Sequence, residues 1–262
     1  MQPVFKAGAV QFDVTDGDVD GNLATAFLML DELALKGVAL AVLPELFSCG
    51  FDNERIGRHA QNTPEVLARM TRFARDRDMA VAGTLPEADG GRVFNTLYFI
   101  DRDGEIRGTY RKLHLFPLTG EHLYYTAGNR AVAVDTSFGR IGLMICYDLR
   151  FPELARKLFL DAADVFVVSA QWPTPRAGHW QALIRARAIE NQAFFICSNR
   201  TGGGDGELMF PGLSTVVGPT GDVLAEAGDT PGVICCDMDM GQVAAFRRTI
   251  PIRKDRREDI YG

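Results

Sequence analysis

The chain is poor in the residues that build metal centres and disulfide frameworks. Its 262 residues include four histidines (His59, His114, His122, His179) and five cysteines (Cys49, Cys146, Cys197, Cys235, Cys236). No two cysteines stand in a CxxC spacing, so a zinc site has little to draw on. An odd count without framework spacing fits free thiols in a reducing compartment. Positive charge is also scarce: 28 Lys and Arg against 34 Asp and Glu leave a formal charge of −6. There is no net basic footprint for nucleic acid. The one basic cluster, residues 247–257, is broken by Asp255 and followed by Glu258 and Asp259, and reads as a solvated or inter-subunit tail. The longest apolar runs, such as residues 38–43, are strand-length and far below the ~18 residues of a membrane span. Residues 1–6 lack the charged and apolar regions of a secretory leader. The expectation is a cytoplasmic protein with neither nucleic acid nor membrane as partner.

With 47% hydrophobic and 24% charged residues, the composition is that of a globular protein and excludes disordered, collagen-like and coiled-coil chains. Strand-length apolar runs alternate with helix-period segments, which marks an α/β arrangement. Strands are expected at residues 4–12, 38–43, 79–84, 164–169 and 193–198, and helices at 22–36, 64–77, 152–160 and 179–192. Gly37 stops the first helix, and Thr63 caps the second with Pro64 in its first turn. Hairpins are expected between 93–100 and 105–111, between 131–135 and 141–145, and between 208–217 and 222–226, with a last strand at 232–237. Cys235 and Cys236 alternate across that strand, which puts at least one in the core. Residues 202–204, three glycines without a following GK[ST], read as a mobile surface turn and not a phosphate loop. No linker, low-complexity stretch or repeat divides the chain, so residues 1–262 are expected to form one domain. Hairpins mixed with β-α-β units suggest two mixed sheets packed together, each covered by helices.

Three reactive side chains stand just past the ends of apolar strands: Glu45 after residues 39–44, Lys112 after 106–111 and Cys146 after 141–145. Ligands gather at the carboxyl ends of strands in open α/β sheets, so these three can converge across 67 and 34 residues of sequence. Singly, each has a structural explanation. A lone Cys is usually a small buried hydrophobe, Glu45 can open a helix, and Lys112 can be a surface charge on a hairpin. Together they supply a nucleophile, a base to ionise it and a cation for a tetrahedral oxyanion, without any histidine. A Cys146–His179 pair of the papain kind lacks the surrounding cysteine-protease signature. His114 and His122 flank the lysine loop and are expected to shape the pocket.

Pro44-Glu45-Leu46-Phe47, Tyr110-Arg111-Lys112-Leu113-His114-Leu115-Phe116 and Ile145-Cys146-Tyr147-Asp148-Leu149-Arg150-Phe151-Pro152-Glu153 together resemble the nitrilase superfamily of carbon–nitrogen hydrolases. Val10-Gln11, Asn95-Thr96, residues 185–191 and Ser198-Asn199-Arg200 extend the resemblance nearly end to end. It implies a four-layer α-β-β-α sandwich with two sheets of about six strands, in keeping with layered α/β packing. Glu45 then matches the general base, Lys112 the oxyanion cation and Cys146 the nucleophile. Glu121 matches a second glutamate that positions the lysine and the substrate, and the Tyr147 backbone N–H would be the second oxyanion donor. The alternative for Glu121 is an exposed loop carboxylate.

Tyr147-Asp148 after the cysteine, where true nitrilases carry Trp-Glu, resembles the ω-amidase and deaminated-glutathione amidase branches. Residues 171–176 and 179–182 look most like bacterial enzymes acting on 2-oxoglutaramate. The implied reaction is hydrolysis of the terminal carboxamide of a small ω-amide acid, through a cysteine thioester and without metal or organic cofactor. N-carbamoyl amino acids and deaminated glutathione are the alternative substrates, and a catalytically silent binding module is the alternative of another class. By analogy with N-carbamoyl amino-acid hydrolases, Arg150 is expected to clamp the substrate carboxylate, with Trp172 or Phe116 over its apolar carbons. The other reading of Arg150 is a salt bridge with Asp148 or Glu153. The resemblance also implies a homodimer.

Overall fold

Successive residues of the apolar runs point to opposite faces, and both faces are covered. Leu40, Val42, Ala80, Ala82, Leu97 and Phe99 join one core, whereas Ala41, Val81, Tyr98 and Ile100 join another. A period of two is the mark of a strand, and strands apolar on both faces need a packed layer on each side. A computed structural model, which describes residues 4–203 and 208–261, shows those layers.

The strands among the described residues are β1 (Val4–Gln11), β2 (Leu40–Val42), β3 (Ala80–Asp89), β4 (Arg92–Ile100), β5 (Ile106–Arg111), β6 (Ala133–Thr136), β7 (Gly139–Ile145), β8 (Val165–Ala170), β9 (Phe194–Asn199), β10 (Thr201–Gly203), β11 (Met209–Pro211), β12 (Thr215–Val217), β13 (Val223–Glu226) and β14 (Gly232–Asp239). The helices are α1 (Val19–Leu35), α2 (Ile56–Arg77), α3 (Pro152–Leu160), α4 (Ala177–Asn191), α5 (Gly241–Thr249), α6 (Ile252–Asp255) and α7 (Glu258–Tyr261). One six-stranded sheet runs β14-β1-β2-β3-β4-β5 and the other β13-β12-β9-β8-β7-β6. Each has parallel strands at its centre and antiparallel strands outside: β1, β2 and β3 are parallel in the first, β7, β8 and β9 in the second.

Leu40, Val42, Leu97 and Phe99 of the first sheet share a core with Ile141, Leu143, Val165 and Val167 of the second. Leu23, Ala26, Leu30 and Leu33 of α1 and Val66, Met70 and Ala74 of α2 cover the outer face of the first sheet. Leu158 of α3 and Trp180, Ile184 and Ala188 of α4 pack on the second. The layers run α-β-β-α, with the parallel strand ends of both sheets meeting at one edge.

Most elements fall where the apolar periodicity puts them, and α3 does so at both ends. The second helix does not. It begins at Ile56, with Pro64 inside it. Its buried stripe (Ile56, His59, Ala60, Thr63, Val66, Met70, Ala74) runs unbroken past the proline, so burial outweighs the one lost backbone bond. Thr63 is no cap; its hydroxyl donates to the Pro86 carbonyl. The strand expected at 208–217 is broken by Gly212 (φ +67°) and Leu213 (φ +57°), and its first half pairs with β10 in a separate ribbon. Gly202 and Gly203 lie in β10 and not in a turn; Gly204 is outside the described residues. The basic cluster is docked, not merely solvated: Arg247 pairs with Asp164 and Arg253 donates to the Leu160 carbonyl. Cys235 and Cys236 are half-buried on opposite faces of β14, one toward each core.

Candidate active site

Strand ends from both sheets converge at the shared edge. Glu45 lies three residues past β2, and its N–H reaches the Ala170 carbonyl at the end of β8 in the other sheet, at 3.3 Å. Lys112 directly follows β5 and Cys146 directly follows β7. Leu46 and Cys146 hold φ of +45° and +44°, so the chain turns sharply just after Glu45 and at Cys146 itself. Such a backbone costs a non-glycine residue about 1–2 kcal/mol and persists where the surroundings hold it.

The Lys112 ammonium donates to Glu45 Oε1 at 2.7 Å and to Glu121 Oε1 and Oε2 at 2.9 and 2.8 Å. Asn95, from β4, donates through Nδ2 to both carboxylates, at 2.8 Å to Glu45 and 3.3 Å to Glu121. The Gln171 N–H donates to Glu45 Oε2 at 3.0 Å, and the Phe116 N–H to Glu121 Oε2 at 2.7 Å. Glu45, Lys112 and Glu121 are at most 1% exposed. Cys146, 8% exposed, shares with them a cavity of about 210 Å³ whose wall also includes Phe116, Gln171 and Arg200. A narrower crevice beside the thiol is lined by Tyr147, Arg150, Trp172 and Arg176. A far larger groove between α3 and the C-terminal helices contains none of these groups, and size alone is no guide to chemistry here.

Burial raises the Glu45 carboxyl above its ordinary value, and repulsion from Glu121 adds to this against the pull of Lys112. Lys112 moves up despite its burial, because Glu121 and Glu45 hold its proton. Burial and the Glu45 charge push the Cys146 thiol well up, with Lys112 pulling the other way. The site therefore sets a thiol beside a carboxyl group and a lysine held as its ammonium, in a cavity that shields them from most of the surrounding water. Such a group suits attack on a carbonyl carbon, with the proton leaving sulfur as the bond forms.

Residues 6–248 match the carbon–nitrogen hydrolase family. The chain is 37% identical to a 2-oxoglutaramate amidase of Bacillus subtilis, over 96% of this chain and 97% of that one. It is 31% identical to an omega-amidase NIT2 of Xenopus tropicalis, with 98% and 97% covered. Among solved structures, a CN-hydrolase superfamily protein of Xanthomonas campestris with an arsenic adduct in its active site aligns with a TM-score of 0.92 at 31% identity, covering 98% of each chain. This chain belongs to the carbon–nitrogen hydrolase family.

In this carbon–nitrogen hydrolase the expected Glu45, Lys112, Cys146 and Glu121 all meet in one cavity. Glu121 is a buried partner of the lysine, not an exposed loop carboxylate. Phe116 lines both the cavity and the crevice, and Trp172 only the crevice. Tyr147 is the second residue of a 3₁₀ turn, Cys146–Arg150, where an N–H precedes the first intrahelical bond. Arg150 pairs with neither Asp148 nor Glu153 among the described residues. Its guanidinium lies 4.6 Å over the Trp172 ring, and its Nη2 is 3.3 Å from His179 Nδ1. His179 is exposed and turned to Arg150, away from any pairing with the thiol. The two loop histidines line neither cavity nor crevice: His122 is exposed and His114 turns toward Asp148.

Sequence reasoning gave no site role to Asn95, Gln171 or Arg200. Arg200 is 2% exposed, pairs with Asp13 and Asp16 and donates to Gln171 Oε1 at 2.9 Å. For Arg200 a readable signal was present: a charged side chain directly after an apolar strand, here β9, must find partners when buried. Among the described residues no group of three or more His, Cys, Asp or Glu side chains is set to hold a metal ion.

Proposed function

We propose that this amidohydrolase removes ammonia from the terminal carboxamide of a small ω-amide acid such as 2-oxoglutaramate or 2-oxosuccinamate. The observation that carries the reading is the Lys112 ammonium shared between Glu45 and Glu121 in the same cavity as Cys146. Glu45 takes the thiol proton as Cys146 Sγ bonds to the carboxamide carbon. The oxyanion is held by Lys112 Nζ and the Tyr147 N–H. Glu45 then returns the proton to nitrogen, the C–N bond breaks and ammonia leaves. Water gives a proton to the same carboxylate and attacks the thioester, and the thiol re-forms as the acid departs. Glu121 positions the lysine.

Substrate choice rests on the crevice. Arg150 offers a planar fork without a carboxylate partner among the described residues, and a bidentate pair with the substrate carboxylate fits it. Phe116 and Trp172 cover the methylenes between carboxylate and amide. The name of the Bacillus subtilis relative favours a 2-oxo acid. We further read the enzyme as a cytoplasmic homodimer. Its five free cysteines and the exposed Ile189 and Ile250 support that, and light scattering after gel filtration tests the dimer.

Ammonia release from ω-amide acids, N-carbamoyl amino acids, deaminated glutathione and nitriles tests the substrate class. The expected order places 2-oxoglutaramate or 2-oxosuccinamate first by kcat/KM. Preference for a carbamoyl compound or a nitrile overturns it, and a chain that releases ammonia from none, with an unreactive Cys146, is a binding module.

A further inference from the structure

Asp148, two residues past the nucleophile, is fully buried, yet no lysine or arginine faces it among the described residues. Its carboxylate is instead surrounded by hydrogen-bond donors. Oδ2 accepts from the Tyr110 hydroxyl at 2.7 Å and from the Ile145 N–H at 3.0 Å. Oδ1 accepts from the His114 N–H at 3.1 Å and lies 2.7 Å from His114 Nδ1. A carboxylate can only accept, so this contact puts the imidazole proton on Nδ1.

The origin of these donors gives the arrangement its meaning. Ile145 immediately precedes Cys146. Tyr110 and His114 lie two residues to either side of Lys112. One buried carboxylate thus ties the nucleophile's turn to both flanks of the lysine. His114 holds the turn a second time, since its ring stacks on Phe151, the residue that ends it, with centroids 3.6 Å apart and planes at 8°. The turn needs such support. Cys146 sits in the left-handed region, and a 3₁₀ turn of five residues has poor hydrogen-bond geometry of its own. Asp148 lines neither the cavity nor the crevice, so it has no route to the substrate.

We propose that Asp148, gripped by Tyr110 and His114, is the positioning residue that sets the Cys146 thiol against Glu45 and the Lys112 ammonium. The proposal rests on Cys146 as nucleophile and Lys112 as oxyanion cation. Its action is geometric: it keeps the strained turn and the lysine loop in one register. A misplacement of about 1 Å at a reacting group is enough to cost about a hundredfold in rate.

Asp148→Asn is the direct test. The amide keeps the shape but turns an NH2 toward one of the two backbone N–H donors, Ile145 or His114, neither of which can rotate away. The expected result, in protein folded by circular dichroism, is a kcat about a hundredfold lower with KM within threefold. Alkylation of Cys146 by iodoacetamide should slow in parallel. Asp148→Glu should not rescue, because it restores charge but not position. Tyr110→Phe removes the donor to Asp148 and a longer bond accepted from the Leu113 N–H at 3.3 Å, and should lower kcat about fivefold, in line with about 1 kcal/mol for the stronger bond. Combined with Asp148→Asn it should add less than its own fivefold, since the two share the Tyr110–Asp148 contact and only the Leu113 bond is lost besides.

A wild-type kcat and alkylation rate in Asp148→Asn, with only a lower melting temperature, overturns the proposal. Should that variant fail to fold, Tyr110→Phe at wild-type kcat overturns it equally. These outcomes differ from failure of the functional reading, in which the wild-type protein itself releases no ammonia or Cys146→Ala retains activity.

Discussion

Glu45 and Lys112 are 67 residues apart in the chain and 2.7 Å apart in the fold, carboxyl against ammonium, each just past a strand of the same sheet. The pairing serves two states. At rest the ammonium pulls the Glu45 carboxyl down against the upward push of burial. In the proposed reaction the same ammonium meets the developing oxyanion while Glu45 takes the thiol proton.

The pH profile follows from these opposed influences. Burial and the Glu121 charge raise Glu45, and protonated Glu45 cannot accept the thiol proton. Activity should fall as pH drops through a value above the ordinary carboxylate range of about 4. Lys112 is held protonated beyond its ordinary range and Cys146 stays a thiol, so neither should produce a limb between neutral and mildly alkaline pH. A profile of kcat/KM checks this; an acid limb below about pH 4 contradicts it.

Lys112→Met should lower kcat by roughly 10²–10³ with a much smaller rise in KM, since the cation matters most once the oxyanion exists. The variant also leaves Glu45 and Glu121 facing each other without a cation between them. Breaking a buried pair in this way costs about 3–5 kcal/mol. The loss should be largest at neutral pH and shrink as Glu45, whose carboxyl is raised by burial, takes up a proton on acidification. Thermal melts from pH 5 to 8 read this out, and a loss that grows toward acid speaks against it.

Arg150→Ala separates a substrate clamp from a structural arginine. Assayed with a carboxylate-bearing ω-amide and an uncharged amide of similar length, it should lose activity selectively on the first. Arg150→Lys should fail similarly, because a point charge cannot reproduce the planar fork. Equal losses on both substrates make Arg150 structural.

Much of this was legible in the chain. Apolar runs bounded by Gly, Pro and charged turns located the strands and α3, and the reactive residues at strand ends pointed to one edge of the fold. Pro64 misled because local propensity stops a helix there, whereas the stripe from Ile56 to Ala74 keeps it going. The break at Gly212 and Leu213 depends on left-handed backbone, which apolar patterning does not record. Asn95 and Gln171 were hidden for another reason. Each is an ordinary amide in sequence and acquires its role only when β4 and β8 bring it against Glu45.

The nucleophile is tested most directly by mixing the protein with 2-oxoglutaramate, quenching in acid and measuring the mass of the peptide that carries Cys146. Wild-type protein should show the acyl group as a thioester on Cys146. Cys146→Ala should show no adduct and no ammonia release while remaining folded, whereas Cys49→Ala and Cys197→Ala, which alter fully buried thiols outside the cavity, should retain most activity. Substantial ammonia release by Cys146→Ala contradicts the mechanism at its centre.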